Sequence, residues 1–276
     1  MPRQHFRECR IDRTLVTEAT VDEDIRVRHP DTSELVSGIV VLVHGSFHTG
    51  ACWEPLAANL GTAGIETRAP TLPGQLGGPP LNAWRVSMNR YGEAIVAAAE
   101  NLGGRVDLVA HSMGGLGASR AAELRPELFR RIIYLSAVVP RLGRYSMLDV
   151  GRRLGPELQR APRIHRNGTI TVKPEAARAA FYHRVPPERQ EWAIERLSPQ
   201  PLSTSWSSVH TTADRFGRIE KHYIGCSDDR ALPPETQRAM QSHQEFASVH
   251  LIDSDHSPFL SATTELTTVL GRILSA

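Results

Sequence analysis

Apolar residues in this chain gather into short unbroken runs, each followed by a turn and then by apolar positions at helical spacing. The first run, Ile39 to Val43, shows no polar alternation, which is how a strand buried on both faces of a parallel sheet reads. Residues 65–69, 106–110, 131–137, 221–226 and 248–253 supply further strands. Between them, residues 53–60, 91–102, 116–124, 233–242 and 258–274 carry helical periodicity, with Gly61, Gly64 and Gly103-Gly104 placed to end helices. Strand and helix alternate, so an α/β fold with a mostly parallel sheet covered on both faces is predicted.

One stretch breaks the rhythm. Residues 141–210 show no β run and contain Pro162, Pro174, Pro186, Pro187, Pro199 and Pro201. Inserted above the carboxyl ends of the strands, such a segment forms a helical cap that shapes a pocket and excludes water. The predicted organisation is a core of residues 38–140 and 211–276, a cap of residues 141–210, and a charge-rich arm of residues 1–37, either disordered or holding short strands at 15–20 and 25–28.

Composition narrows the function classes. The 276 residues are 40% hydrophobic and 22% charged with a formal net charge of +2, as in an ordinary globular protein. That charge gives no electrostatic reason to expect nucleic acid or an anionic membrane as partner. Arginines are scattered among acidic residues, and lysine occurs only at 173 and 221. Cys9, Cys52 and Cys226 are odd in number and far apart, which speaks against a disulfide framework and against a zinc site. Residues 1–13 carry both charges and no apolar core, and no run reaches membrane-spanning length, so the cytoplasm is the expected location. Monomer and homodimer both remain open.

The chemistry centres on Ala110-His111-Ser112-Met113-Gly114, between a strand and a helix. A serine on such a strand-to-helix elbow is held clear of the sheet, with the helix amino terminus aimed at the reacting group. Ser112 is the candidate nucleophile, although Ala110 replaces the usual first glycine. A serine needs a base, and the base needs an orienting acid. His256, in the loop after the last strand, is the candidate base. Asp228 and Asp229 both follow the preceding strand, and spacing alone does not separate them. Two backbone N–H groups should hold the oxyanion, from Met113 and from Ser46 in the turn after the first strand. Phe181, Trp192 and Trp206 are apolar residues of the cap that could line the pocket, and Phe47, His111 and Trp206 are expected to contact substrate.

Together these segments resemble the α/β-hydrolase superfamily, in the branch of plant methylesterases, hydroxynitrile lyases and bacterial esterases. Residues 41–50 with Trp53, the elbow 108–115, the stretch from Asp214 through Asp229 to Arg238, and Asp255-His256 carry the resemblance, which spans about residues 38–275. It implies Ser112, Asp229 and His256 as a catalytic triad, Ser46 and Met113 as oxyanion donors, a small to medium apolar ester as substrate, and no cofactor or metal. The lyases of this branch carry a threonine in place of Gly45 and a lysine in place of Ser257. Without that positive charge little would stabilise a departing cyanide, so hydrolysis is favoured. Acyl transfer, thioester release and cofactor-free lyase or cyclase chemistry use the same triad and remain alternatives, as does a non-catalytic ligand-binding protein on this fold.

Overall fold

The computed structural model describes residues 38–276, Ala161 excepted. The expected arm and its strands lie outside the described residues. The central sheet has six strands, all parallel: β1 (Ile39–Val43), β2 (Glu66–Arg68), β3 (Val106–His111), β4 (Phe129–Leu135), β10 (Glu220–Cys226) and β11 (Ser248–Ile252). Their spatial order is β11-β10-β4-β3-β1-β2. After β1 the chain builds outward to β2, then returns to lay β3 on the other side of β1. The order therefore reverses between β1 and β3, and a crevice opens there at the carboxyl ends.

The unbroken apolar runs are explained by burial on both faces. Every residue of β3 is buried, and Val41, Leu42 and Val43 of β1 are fully buried. On one face Tyr91, Ile95 and Ala99 of α2 (Met88–Glu100) and Leu116, Ala118 and Ala122 of α3 (Gly114–Leu124) join one apolar cluster. On the other, Leu56 and Leu60 of α1 (Glu54–Thr62) meet Leu266, Leu270 and Ile273 of α9 (Thr263–Leu274). The Ser87 hydroxyl accepts from Arg90 N–H and caps α2, which is why that helix begins before the apolar periodicity does. The closing helix expected at 258–274 is broken at Ala262 into α8 (Pro258–Ser261) and α9. The Ser261 hydroxyl fastens the short first turn to Asp255, and the chain redirects before α9 packs on α1.

Between β4 and β10 the expectation of no β structure is corrected. Beside α4 (Pro156–Arg160), α5 (Pro174–Phe181) and α6 (Pro187–Glu195), this segment holds five short strands. β5 (Gly143–Tyr145) pairs with β9 (Val209–Thr211), and β6 (Arg163–Ile164), β7 (Thr169–Thr171) and β8 (Gln200–Pro201) form a second small sheet, all antiparallel. Strands of two or three residues are too short to display alternation, and most of their partners are distant in sequence.

Candidate active site

The residues singled out by the sequence converge on the carboxyl edge of the sheet. Ser112 follows β3 with φ 53°, in the left-handed region. For a residue with a side chain that conformation costs roughly 1–2 kcal/mol, and packing has to hold it. Ser112 carbonyl accepts from Val138 N–H at 3.0 Å and from Gly115 N–H at 3.1 Å, while Ser112 N–H donates to Leu135 at 3.4 Å. At Gly114 a Cβ would come within 2.5 Å of the His44 carbonyl oxygen, so only glycine lets α3 start this close to the β1 turn.

Asp229 and His256 follow β10 and β11, and His256 Nδ1–H donates to Asp229 Oδ2 at 2.7 Å with both residues buried. The Asp229 carboxylate is thoroughly satisfied. Ala231 and Leu232 N–H donate to Oδ1 at 2.8 and 2.7 Å, and Gln237 Nε2 and the Ser136 hydroxyl donate to Oδ2. Asp228 points elsewhere: its side chain is half-exposed and meets His183 at 3.0 Å. Ser136 closes β4 with φ 37° and Gln237 lies on α7 (Pro234–Gln241). Gln237 lies in the stretch that carries the resemblance but has no role assigned from the sequence, and Ser136 reads there only as part of a strand, though a small polar residue at the end of a buried strand is a legible signal for a group serving the site.

The turn after β1 holds His44, His48 and a strained phenylalanine, and His111 at the end of β3 packs beside it. His44 Nδ1–H donates to the Gly45 carbonyl and Nε2 accepts from Leu72 N–H, while burial pushes its pKa down to about 4. His48 takes the Tyr182 hydroxyl on Nε2 at 2.7 Å and donates from Nδ1 to the Ser46 carbonyl at 2.7 Å; burial lowers its pKa to about 3. His111 Nε2–H donates to the His256 carbonyl at 2.8 Å, and burial holds it well below its ordinary value. All three rings are neutral near pH 7 and act as fixed struts. Phe47 adopts φ 63°, with its N–H donating to Gln200 Oε1 at 3.1 Å and its carbonyl accepting from Ser198 N–H at 2.7 Å. The Ser46 hydroxyl donates to Met113 Sδ at 3.3 Å, joining the two turns across the crevice. Neither Ser46 N–H nor Met113 N–H has a protein acceptor among the described residues.

Ser46, Phe47, Ser112, Met113 and His256 line one cavity of about 210 Å³, whose wall is continued by Leu154, Leu158, Pro162, Ile170 and Phe181. Of the residues expected to contact substrate, Phe47 is on the wall and packs against Phe181 at 6.3 Å. His111 lies behind the wall, with its ring 4.5 Å from that of His256. Trp206 is about half exposed, and Ser205 lines the cavity in its place. Among the described residues no group of three His, Cys, Asp or Glu side chains gathers as a metal site, and no helix is long and apolar enough to cross a membrane.

Methylesterase 10 of Arabidopsis thaliana is 30% identical over 84% of this chain and 90% of its own length. Methyl jasmonate esterase 1 of Vitis vinifera is 28% identical over 86% of this chain and 96% of its own. Among solved structures, tomato methylketone synthase I superposes with TM-score 0.76 at 24% identity, covering 86% of this chain and 98% of that one. A pyrethroid hydrolase from Sphingobium faniae JZ-2 superposes with TM-score 0.77 at 23% identity, covering 87% and 98%. At such identities the superpositions speak for the fold alone. Residues 40–268 match the alpha/beta hydrolase family, from within β1 into α9. That span takes in every core strand and every turn just described, and the chain belongs to this family.

Proposed function

We propose that this protein is a serine carboxylesterase, with Ser112 as nucleophile, His256 as base, Asp229 as the acid that orients it, and residues 141–210 as the cap. The observation that carries the reading is the buried His256–Asp229 pair and the left-handed Ser112 elbow opening on one apolar cavity. With Nδ1–H committed to Asp229, His256 has Nε2 left to take the serine proton. Ser112 Oγ attacks the ester carbonyl, and Ser46 and Met113 N–H groups receive the developing oxyanion. His256 then passes the proton to the leaving alcohol, and water, deprotonated by the same ring, releases the acid from Ser112. A cavity of about 210 Å³ walled by Phe47, Leu154 and Phe181 suits a small to medium, mostly apolar ester. Esters are also what the names of the methylesterase relatives point to.

Two features favour hydrolysis over cyanohydrin cleavage. A Cβ at Gly45 would fall 2.7 Å from Ser112 Cβ, leaving no space for a threonine unless the elbow moves. Ser257 is buried beside His256 and brings no charge. Cys52 and Cys226 are free buried thiols, in keeping with a reducing compartment such as the cytoplasm.

The test is hydrolysis of p-nitrophenyl acetate and butyrate by the wild type and Ser112→Ala, with a fluorophosphonate label mapped by mass spectrometry. Loss of both turnover and label in the variant is the expected result. Equal turnover, or label on another residue, would sink the assignment.

A further inference from the structure

The oxyanion turn is not held by the core alone. Ser46 N–H belongs to the peptide unit just before the one that joins Ser46 to Phe47, and that second unit is gripped at both ends: the Ser46 carbonyl by His48 Nδ1–H, and Phe47 N–H by Gln200 Oε1. His48 is in turn fixed by the hydroxyl of Tyr182, and the Phe47 carbonyl by Ser198 N–H. Tyr182, Ser198 and Gln200 all lie in the segment between β4 and β10, more than a hundred residues from the turn they hold.

Gln200 is the central member. It is buried and borders the cavity beside Phe47 and Ser112. Its hydrogen-bonding capacity is nonetheless used up by the protein. Oε1 accepts from Phe47 N–H and Gln75 Nε2, and Nε2 donates to the Tyr91 hydroxyl at 3.1 Å and to Thr204 Oγ1 at 2.8 Å. An amide with two acceptor sites and two donors, all occupied, has nothing left for a substrate. The same bonds fix its orientation, since a flipped amide would set an NH₂ against Phe47 N–H.

We propose that Gln200 is a positioning residue of the esterase reaction: by accepting from Phe47 N–H it holds the left-handed turn that aims Ser46 N–H into the cavity, so that the oxyanion site is complete only when the cap strand β8 is seated. Its contribution falls on the transition state, where the oxyanion forms, and not on ground-state binding. The proposal rests on the serine-esterase reading. The two fail separately: activity remaining in Ser112→Ala overturns that reading, whereas an inert Ser112→Ala beside a fully active Gln200→Leu overturns this proposal alone.

The experiment measures kcat and KM for p-nitrophenyl butyrate, and inhibition by an alkyl trifluoromethyl ketone, whose serine adduct carries the oxyanion. Gln200→Leu is expected to lower kcat by ~10- to 100-fold, less than the ~10²- to 10³-fold typical of deleting a donor outright, with KM within ~3-fold. Inhibition by the ketone weakens by the same factor as kcat. Tyr91→Phe cuts the same network on its far side while sparing the Phe47 bond. It lowers the unfolding midpoint but leaves kcat within ~3-fold, because only acceptor loss at Phe47 disturbs the oxyanion donors. Equal kcat losses in Gln200→Leu and Tyr91→Phe mean a purely structural network and overturn the proposal, as does an unchanged ketone affinity. Should Gln200→Leu not accumulate folded, Gln200→Asn, which keeps the amide but withdraws it by one methylene, is read by the same criteria.

Discussion

The two sides of the proposed site are fastened differently. Asp229 and His256 are held by the core: the donors to the carboxylate are Ser136 at the end of β4, Gln237 of α7, and the backbone of Ala231 and Leu232 just after β10. The turn bearing Ser46 and Phe47 is held largely from above, by Tyr182, Ser198 and Gln200. The segment above also touches the acid–base side, through the Phe181 ring 5.7 Å from that of His256, Arg184 N–H on Asp255 and His183 on Asp228, but none of these bonds to Asp229, and the hydrogen bonds that hold the Asp229–His256 pair come from the core. In the proposed reaction, proton transfer therefore rests on groups fixed by the sheet, while oxyanion stabilisation rests on a separate piece of chain being seated. Perturbing one side or the other should separate the two.

The largest effect is expected on the core side. Asp229→Asn removes the charge that stabilises the imidazolium and lets the ring take the wrong tautomer, so kcat should fall on the order of 10⁴-fold. Asp228→Asn weakens only its pairings with His183 and Arg230, on a half-exposed carboxylate, and should stay within ~3-fold, since exposed ion pairs contribute little. Steady-state assays of the two variants check this, and a reversal of their order would reassign the acid.

That distinction marks where the sequence stops being informative. The Ser112 elbow and the His256 loop are local patterns, and alternating runs around them were enough to place both at the carboxyl ends of parallel strands. Asp228 and Asp229 are neighbours, and only burial and direction separate them. The supports of the oxyanion turn were not legible at all. Phe47 and Gln200 are 153 positions apart, and a buried glutamine in a two-residue strand has no periodicity to announce it. The short strands between β4 and β10 were missed for the same reason, being defined by distant partners and not by their own residues.

Acid should act on the turn through its buried histidines. His44 and His48 have pKa values lowered by burial to about 4 and about 3, against 6.5 when unfolded. The unfolded chain therefore binds more protons below pH 6.5, so their contribution is fully present above 6.5 and is lost as pH falls toward 4. Each histidine should cost about 2 kcal/mol of stability between pH 8 and pH 5. Urea unfolding midpoints across this range measure it, and His48→Gln should shallow the slope by close to one proton. A slope indifferent to that substitution would contradict a neutral, load-carrying His48.

The smallest effect tests the seating itself. Tyr182→Phe keeps the ring, which packs at 5.9 Å from that of His48, and removes only the hydroxyl that fixes His48 Nε2. The imidazole can then turn and release the Ser46 carbonyl, but Gln200 and Ser198 still hold Phe47. A loss of ~3- to 10-fold in kcat with KM nearly unchanged is expected, smaller than for an oxyanion donor removed outright because two of three fastenings survive. Gln237→Leu is the matching change on the core side: it takes one donor from Asp229 and leaves four, including His256 itself. Combining Tyr182→Phe with Gln200→Leu should lower kcat by more than the product of the single losses, because each bond backs up the other on one peptide unit. Combining Tyr182→Phe with Gln237→Leu should give simple multiplication, since the two act on different groups. Multiplicative behaviour in both pairs would mean that the turn keeps its shape without the segment above it, and the contrast between the two sides of the site would disappear.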